Sequence, residues 1–330
     1  MGRRFPALAS QDVEDPLAPP QVSVQAPLRS FVAVGDSFTE GLPDTHPDGR
    51  PRGWADLVAE RLAAFEPDFR YANLAVRGRL MGQIGGDQAP AAAAMRPDLA
   101  AFAGGINDVA RPNCDLDEVC EQLEQCAAVL TASCARVVTF QPMDYTRRMP
   151  SLRRFAPKVA QLMEAVEQVR DKLGVIVVDL SVERVFDDPR LWAPDRVHLS
   201  YEGHRRVAEG VLEALGYEPL FDWRAPLPPA KRPGRVVSKW SDMVWVVRYF
   251  APWIKRRLTG TSSGDGVLPK RPNLLPLLEQ AVSDAVNGAG LNGVGLNNVG
   301  LNSAGLNSVG LNSAGTALNP MGPALTDQAA

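Results

Sequence analysis

Short β-rich apolar runs alternate with helical patterns of apolar residues between positions 29 and 216. The predicted strands cover residues 30–35, 70–76, 99–104, 136–141 and 174–180. The predicted helices cover residues 53–65, 82–95, 116–133, 158–173 and 200–215. Five strand–helix units predict a parallel sheet with helices on both faces. The fifth strand is a continuous apolar run, which predicts that both of its faces are buried.

The composition is typical of a soluble globular protein. The 330 residues are 45% hydrophobic and 22% charged, and they leave room for one large domain or two modest ones. The net charge of −3 argues against a generally basic nucleic-acid-binding protein. No apolar run approaches the length of a membrane-spanning helix. With three histidines and no C-x-x-C pair, a structural zinc site is not expected.

The N-terminal segment and the cysteines favour a cytoplasmic location. Polar residues follow the first basic residues without an intervening apolar run, which argues against a secretory signal. The four cysteines crowd into one predicted helix and its flanks, and we interpret them as reduced, half-buried thiols. Residues 1–28 carry five prolines and no clear periodicity, so we expect a mobile arm there.

Four polar blocks follow the predicted strands or precede the last helix. They read G-D-S after the first strand, R-G after the second, G-I-N-D after the third and D-R-V-H before the last helix. In parallel sheets, ligands bind at the carboxyl ends of the strands. The blocks should therefore bring together Ser37, Gly78, Asn107, Asp195 and His198.

These five residues have the properties that acyl transfer requires. A serine hydroxyl is a weak nucleophile until a base takes its proton. His198 can be that base, and Asp195 can hold its ring in the required tautomer. A tetrahedral oxyanion needs preorganised donors, and the backbone N–H groups of Ser37 and Gly78 and the amide of Asn107 can supply them. Taken singly, Ser37 could also be a helix N-cap, so the whole set carries the interpretation.

In this order the four blocks resemble the SGNH (GDSL-type) serine hydrolases. The resemblance implies Ser37 as nucleophile, Gly78 and Asn107 in the oxyanion hole, and Asp195 and His198 completing the triad, without a metal or cofactor. It also implies a flavodoxin-like three-layer α/β/α fold, with a five-stranded parallel sheet of order 2-1-3-4-5. We assign residues 29–224 to this hydrolase domain.

Residues beside the motifs have supporting or structural interpretations. We expect Asp36 to support the turn that carries Ser37 and Asp108 to begin a helix. His204 is predicted to be a surface or packing residue, and His46 to lie in a solvated turn. Candidates for the substrate groove are Arg77, Asp144, Tyr145 and Arg147.

The predicted activity is hydrolysis of a small-molecule carboxylic ester through an acyl-serine intermediate. One alternative is acyl transfer to an alcohol other than water, which would use the same residues. A second alternative is a surface-binding module in which the hydrolase unit is idle. The intact set of motif residues argues against the second alternative.

A basic, aromatic extension follows the hydrolase domain over residues 225–285. Positions 226–275 hold ten Lys or Arg and two acidic residues. One interpretation is a helix packed against the catalytic domain, with Pro252 kinking or ending it. The alternative is an amphipathic helix over residues 231–257 that contacts an anionic membrane surface, which would make the protein membrane-peripheral. Nucleic-acid contact is the least favoured interpretation.

The remaining residues, 286–330, form a low-complexity tail. The unit G-L-N-x-x recurs five times with a period of five residues from Gly290. So few short copies bury little apolar surface, and glycine is costly to order. We therefore expect this tail to be disordered.

Overall fold

A computed structural model of the chain describes residues 27–43, 51–143, 149–230, 243–252 and 262–277. Most of the predicted N-terminal arm and the whole predicted low-complexity tail lie outside the described residues. Leu28, which was assigned to the arm, is buried in the core. The folded part of the chain therefore includes at least one residue before the predicted domain boundary.

One six-stranded sheet forms the centre of the fold. Its strands are β1 (Ser30–Gly35), β2 (Arg70–Asn73), β3 (Leu99–Ala103), β4 (Arg136–Gln141), β5 (Ile176–Asp179) and β6 (Arg271–Pro276). Their order is β5-β4-β3-β1-β2-β6. The five predicted parallel strands and their order are thus confirmed, but the strand count of five was wrong. The added β6 comes from the C-terminal extension and pairs antiparallel with the edge of β2.

The predicted burial of the fifth strand on both faces was also wrong. In β5, Ile176 and Val177 are half-buried and Asp179 is exposed. The reason is its place in the sheet, because β5 lies at an edge and pairs only with β4. A continuous apolar run is typical of a strand that is buried on both faces, but a partly covered edge strand has a similar pattern.

Seven α-helices of four or more residues carry the connections in the described residues, and a three-residue helical turn, Met81–Gln83, lies between β2 and the third of them. They are α1 (Ser37–Glu40), α2 (Trp54–Ala63), α3 (Ala89–Ala94), α4 (Ile106–Val109), α5 (Leu116–Thr131), α6 (Ala156–Leu173) and α7 (Tyr201–Ala214). The segment before α3 was predicted as part of one regular helix, but it contains a wide π-helical turn over Ile84–Gln88. Pro90 accounts for this difference, because it lacks an N–H and its ring crowds the carbonyl four residues earlier.

Two apolar cores cover the two faces of the sheet. Successive β1 residues point to opposite faces, so Phe31 belongs to one core and Val32 to the other. The first core contains α2 and α7, and the second contains α3, α5 and α6. All four cysteines are free thiols on the side of the second core. Burial raises the pKa of the Cys126 thiol to about 12.

The extension contributes two described segments. Residues 243–252 are helical and include a π-helical turn over Val246–Phe250. Residues 262–277 include β6, so the extension, which was predicted to be helical, also contains a strand. Among the described residues, no helix combines the length and the apolar character that crossing a membrane would require.

Candidate active site

The strand ends position the motif residues as the topology requires. Gly35 ends β1, Asp36 caps α1 by accepting the N–H of Phe38 at 3.0 Å, and Ser37 is the first helical residue. Gly78 follows β2, and Asn107 lies in α4 directly after β3. These loops all leave the carboxyl ends of neighbouring parallel strands, so they share one edge of the sheet.

A hydrogen-bonded chain links the three predicted triad side chains. His198 Nε2 lies 3.0 Å from Ser37 Oγ, and His198 Nδ1 lies 2.6 Å from Asp195 Oδ2. A carboxylate can only accept, so beside ionised Asp195 the Nδ1 atom carries the ring proton. Nε2 then presents its lone pair to the Ser37 hydroxyl. This is the arrangement in which a histidine can remove a proton from a serine.

The Asp195 carboxylate is held on several sides. Its Oδ1 accepts the backbone N–H groups of Val197 and His198, each at 3.0 Å. Burial alone would raise the pKa of Asp195, but the hydrogen bond and charge of His198 and the two N–H groups outweigh burial. The pKa of Asp195 therefore lies below its ordinary value. The carboxylate stays ionised, as orientation of the His198 ring requires.

The turn that carries Asp195 and His198 closes on itself. Ala193 N–H donates to the His198 carbonyl at 2.9 Å, and Arg196 N–H donates to the Ala193 carbonyl at 2.9 Å. Arg196 has a φ of 64°. This left-handed conformation costs a non-glycine residue roughly 1–2 kcal/mol. The surrounding contacts must therefore hold the turn in this shape.

Gly78 adopts a conformation that favours glycine. Its φ is 75°, and a Cβ there would overlap the hydroxyl of Ser262 from the extension. The structure thus gives two reasons for a glycine at a position predicted to donate its N–H to an oxyanion. The first is the backbone conformation, and the second is the close approach of Ser262.

Asn107 is engaged in hydrogen bonds to the neighbouring motif. Its Nδ2 atom donates to Asp36 Oδ2 at 2.8 Å and to the Arg79 carbonyl at 3.2 Å. Asp36 therefore joins the first and third motifs as well as capping α1. Burial raises the pKa of Asp36 to about 6, although the Phe38 N–H and the charge of His198 oppose this rise. Asp108, next in the chain, accepts the N–H of Met81 at 3.1 Å.

The candidate groove residues have different positions. The Arg77 backbone N–H donates to Glu40 Oε2 at 2.7 Å, and its guanidinium forms an ion pair with the same carboxylate. Asp144, Tyr145, Arg147 and the loop residue His46 lie outside the described residues. Arg77 is therefore tied to the end of α1, beside the serine loop.

His204 is a packing residue, as the sequence suggested. It is fully buried; its Nδ1 accepts the Trp54 N–H at 3.3 Å, and its Nε2 lies 3.2 Å from the Leu42 carbonyl. Burial lowers the pKa of His204 to about 4, and the charge of Lys270 acts in the same direction. In the part of the chain that the structure describes, no three His, Cys, Asp or Glu side chains are grouped as metal ligands.

Sequence reasoning missed the contacts that the extension makes around this site. Trp245 Nε1 donates to the backbone carbonyl of Asp195 at 2.7 Å. Gly264 packs on the backbone of Arg77, and Lys270 donates to the carbonyls of Glu40 and Pro51. Packing of the extension against the catalytic domain was one of the interpretations of the sequence, but no spacing pointed to these partners.

Comparison with known proteins shows the family that the four blocks resemble. The family model for GDSL-like lipases and acylhydrolases matches residues 33–206, which is more than half of the chain. An acetyl xylan esterase from Geobacillus stearothermophilus has a similar structure, with 21% identity and a TM-score of 0.47 over 59% of this chain and 95% of that one. An alpha/beta hydrolase enzyme from the metagenome of Lake Arreo, Spain, gives 23% identity and a TM-score of 0.47 over 57% and 95%. No curated protein matches the chain.

Proposed function

The chain belongs to the GDSL-like lipase/acylhydrolase family, and from that premise we propose that it cleaves carboxylic esters through an acyl-Ser37 intermediate. The observation that carries the proposal is the continuous hydrogen-bonded chain from Ser37 Oγ through His198 to Asp195. A nucleophile, a base and an ionised group that orients the base are thereby in contact. Family membership supports a carboxylic ester hydrolase, and the residue roles are our proposal.

The proposed reaction has two halves that use the same histidine. His198 Nε2 takes the Ser37 proton as Oγ attacks the ester carbonyl carbon. The tetrahedral intermediate collapses, the carbon–oxygen bond to the alcohol breaks, and the imidazolium returns its proton to the departing alkoxide. Water then attacks the acyl-Ser37 carbonyl while His198 takes a water proton. The second tetrahedral intermediate collapses, the bond from the acyl carbon to Ser37 Oγ breaks, and the imidazolium returns its proton to Oγ, which frees the acid and restores the Ser37 hydroxyl.

Three donors would stabilise the oxyanion in each half. They are the backbone N–H groups of Ser37 and Gly78 and one N–H of the Asn107 amide. One N–H of Asn107 would keep the 2.8 Å bond to Asp36, and the second N–H, whose bond to the Arg79 carbonyl is longer at 3.2 Å, would serve the oxyanion. In this proposal Asp36 acts by fixing the orientation of the Asn107 amide.

Ser37→Ala tests the proposal directly. We expect hydrolysis of p-nitrophenyl esters, from acetate to palmitate, to fall by about 10⁴-fold or more in this variant. Ser133→Ala is the matched control, because its hydroxyl bonds the Val129 carbonyl near the end of α5, outside the motif loops. Stoichiometric labelling by a fluorophosphonate should also disappear in Ser37→Ala. Turnover that persists without the Ser37 hydroxyl would refute the mechanism.

A long-chain acyl substrate is a finer form of the same proposal. Four apolar side chains next to Trp245 are 41–69% exposed, namely Met243, Val244, Val246 and Val247. Because Trp245 contacts Asp195, this apolar surface begins close to the triad. Replacing Val244 and Val247 together with serine should slow palmitate hydrolysis and weaken co-sedimentation with anionic vesicles, and should leave acetate hydrolysis unchanged. Equal rates on all chain lengths in both proteins would count against lipid substrates.

A further inference from the structure

A tryptophan outside the family region reaches the catalytic turn. Trp245 lies 50 residues beyond Asp195 in the chain, and the family match ends at residue 206. Its indole N–H donates to the Asp195 carbonyl oxygen at 2.7 Å. The guanidinium of Arg196 lies 5.1 Å from the centre of the same indole ring. One side chain of the extension therefore contacts two consecutive residues of the D-R-V-H turn.

These contacts hold a turn whose backbone conformation is unfavourable. Arg196 has the left-handed φ of 64°, which the chain does not favour for a residue with a Cβ. The Asp195 side chain is fixed by His198 and two backbone N–H groups, and its main-chain carbonyl is fixed by Trp245. Losing the Trp245 donor would release one side of the residue whose carboxylate orients the catalytic base.

The second described segment of the extension is anchored beside the other motif loops. The Ser262 hydroxyl lies against Gly78, and Gly264 packs against the Arg77 carbonyl so closely that a Cβ would not fit. Lys270 forms a nearly buried ion pair with Asp56, and β6 is hydrogen-bonded to β2. Residues on both sides of the undescribed stretch 253–261 thus contact the candidate active site.

We propose that Trp245 is a positioning residue for the Asp195–His198 pair, and that the extension is part of the hydrolase. The inference rests on the proposed function. The indole N–H holds the Asp195 main chain, and the Asp195 carboxylate in turn holds the ring of His198 at 2.6 Å. Trp245 acts on the reaction only through Asp195 and need not touch the substrate.

Trp245→Phe in the full-length chain tests this contact, because it keeps an aromatic ring beside Arg196 and removes the indole N–H donor. We expect kcat to fall about 5- to 20-fold, as loss of one hydrogen bond to the part-buried Asp195 carbonyl would produce, with KM within about twofold of wild type. The downfield proton resonance of the Nδ1–H between His198 and Asp195 should shift upfield or broaden. Rates are expressed per active site titrated with a fluorophosphonate.

Trp223→Phe is the matched control. Trp223 also donates its indole N–H, to Glu213 at 2.9 Å, but it lies in the core beside α7 and contacts no triad residue among the described contacts. It should change thermal stability without changing kcat per titrated site or the downfield resonance. Arg196→Gln is a second variant that leaves Trp245 in place, and it should give a smaller change in the same direction.

The kinetic constants and the downfield resonance together distinguish failure of this inference from failure of the proposed function. Wild-type kcat and resonance in Trp245→Phe would overturn the inference, and so would a raised KM with unchanged kcat, which would make Trp245 a groove wall. If Trp245→Phe does not fold, Arg196→Gln decides on the same two readouts. The resonance does not require turnover, so it still tests the positioning role if Ser37→Ala shows that the proposed ester hydrolysis is wrong.

Discussion

The motif loops and the C-terminal extension contact the same candidate site. The sequence predicted the motif loops but did not predict the contacts of the extension. Ser37 and His198 are 161 residues apart, yet each sits in a block whose residue types fit one chemical task. Lys270 and Asp56 are 214 residues apart and form an ion pair that nothing in the sequence suggested. Catalysis restricts which side chains can serve and where on a strand they must lie. Packing of an added segment places far fewer restrictions on side-chain type and position, so it leaves a weaker pattern in the sequence.

The largest expected effect lies in the motif loops. Asp195→Asn should lower kcat/KM by about 10⁴-fold, because a neutral amide can no longer hold the His198 tautomer or stabilise its cation. The fold should be kept, as urea unfolding can verify. Comparison with Trp245→Phe then measures how much of the Asp195 contribution depends on the extension. An Asp195→Asn effect as small as the Trp245 effect would show that the carboxylate does not act as the third triad member.

The second largest expected effect, that of Lys270→Met, shows whether the extension is part of the core. Lys270 and Asp56 are only 10% and 9% exposed, and Lys270→Met would leave a buried carboxylate unpaired. We expect a loss of about 3–5 kcal/mol in the free energy of unfolding. Lys172→Met is the matched control, because Lys172 pairs with Glu124 at the surface and should cost no more than about 1 kcal/mol. Equal losses in urea unfolding would mean that the extension is only loosely attached.

The sheet order and the site could be predicted because their signals are local. The apolar runs of β1 and β4 match their predicted bounds, and Ser200, where the last helix was predicted to begin, caps α7 by accepting the Gly203 N–H. Three of the four motif blocks follow strand ends and the fourth precedes α7, so the topology places all four at one edge of the sheet. The catalytic roles themselves stay predictions, and so do the domain boundaries.

The remaining features depend on contacts between distant parts of the chain. Residues 271–276 of β6 include two prolines, which is unusual for a strand, and they pair only with the edge of β2. The predicted order 2-1-3-4-5 leaves the second strand at an edge of the sheet, but nothing in residues 271–276 indicated that they would pair with it. Trp245 carries no motif, and its contact with Asp195 depends on how the extension crosses the surface.

Each of the two regions has a buried titratable group, Asp36 in the motif loops and His204 beside the extension. These two groups should give opposite pH dependences of stability. The pKa of Asp36 in the motif loop is raised from 3.8 to about 6, so the folded state binds a proton first and stability rises as the pH falls through 6 towards 3.8. The pKa of His204, lowered by burial and by Lys270 of the extension, falls from 6.5 to about 4. The unfolded state then binds a proton first, so stability falls as the pH drops from 6.5 towards 4.

Each contribution corresponds to at most about 3 kcal/mol. Relative to wild type, Asp36→Asn should lose stability between pH 7 and pH 4, and His204→Gln should gain it. Urea unfolding at several pH values measures both differences, and the wild type itself should change less than either difference because the two contributions oppose each other. Parallel curves for all three proteins would contradict the assignment of these groups.

The smallest expected effect concerns the fit between the two regions. A Cβ at Gly264 would lie 2.0 Å from the Arg77 carbonyl oxygen, so Gly264→Ala must push the extension away from the loop that carries Gly78. Overpacking of this kind costs about 1–3 kcal/mol. Gly86→Ala is the control and should have the opposite effect on stability. Nothing lies within 4 Å of its added Cβ, and a helical alanine should stabilise the fold by roughly 0.5–1 kcal/mol.

The same two variants also test an effect on activity. If Gly264→Ala lowers kcat/KM per titrated site while Gly86→Ala does not, the contact of the extension with the Arg77–Gly78 loop shapes the oxyanion hole as well as the fold. Unchanged activity in a destabilised Gly264→Ala protein would confine the influence of the extension on catalysis to Trp245.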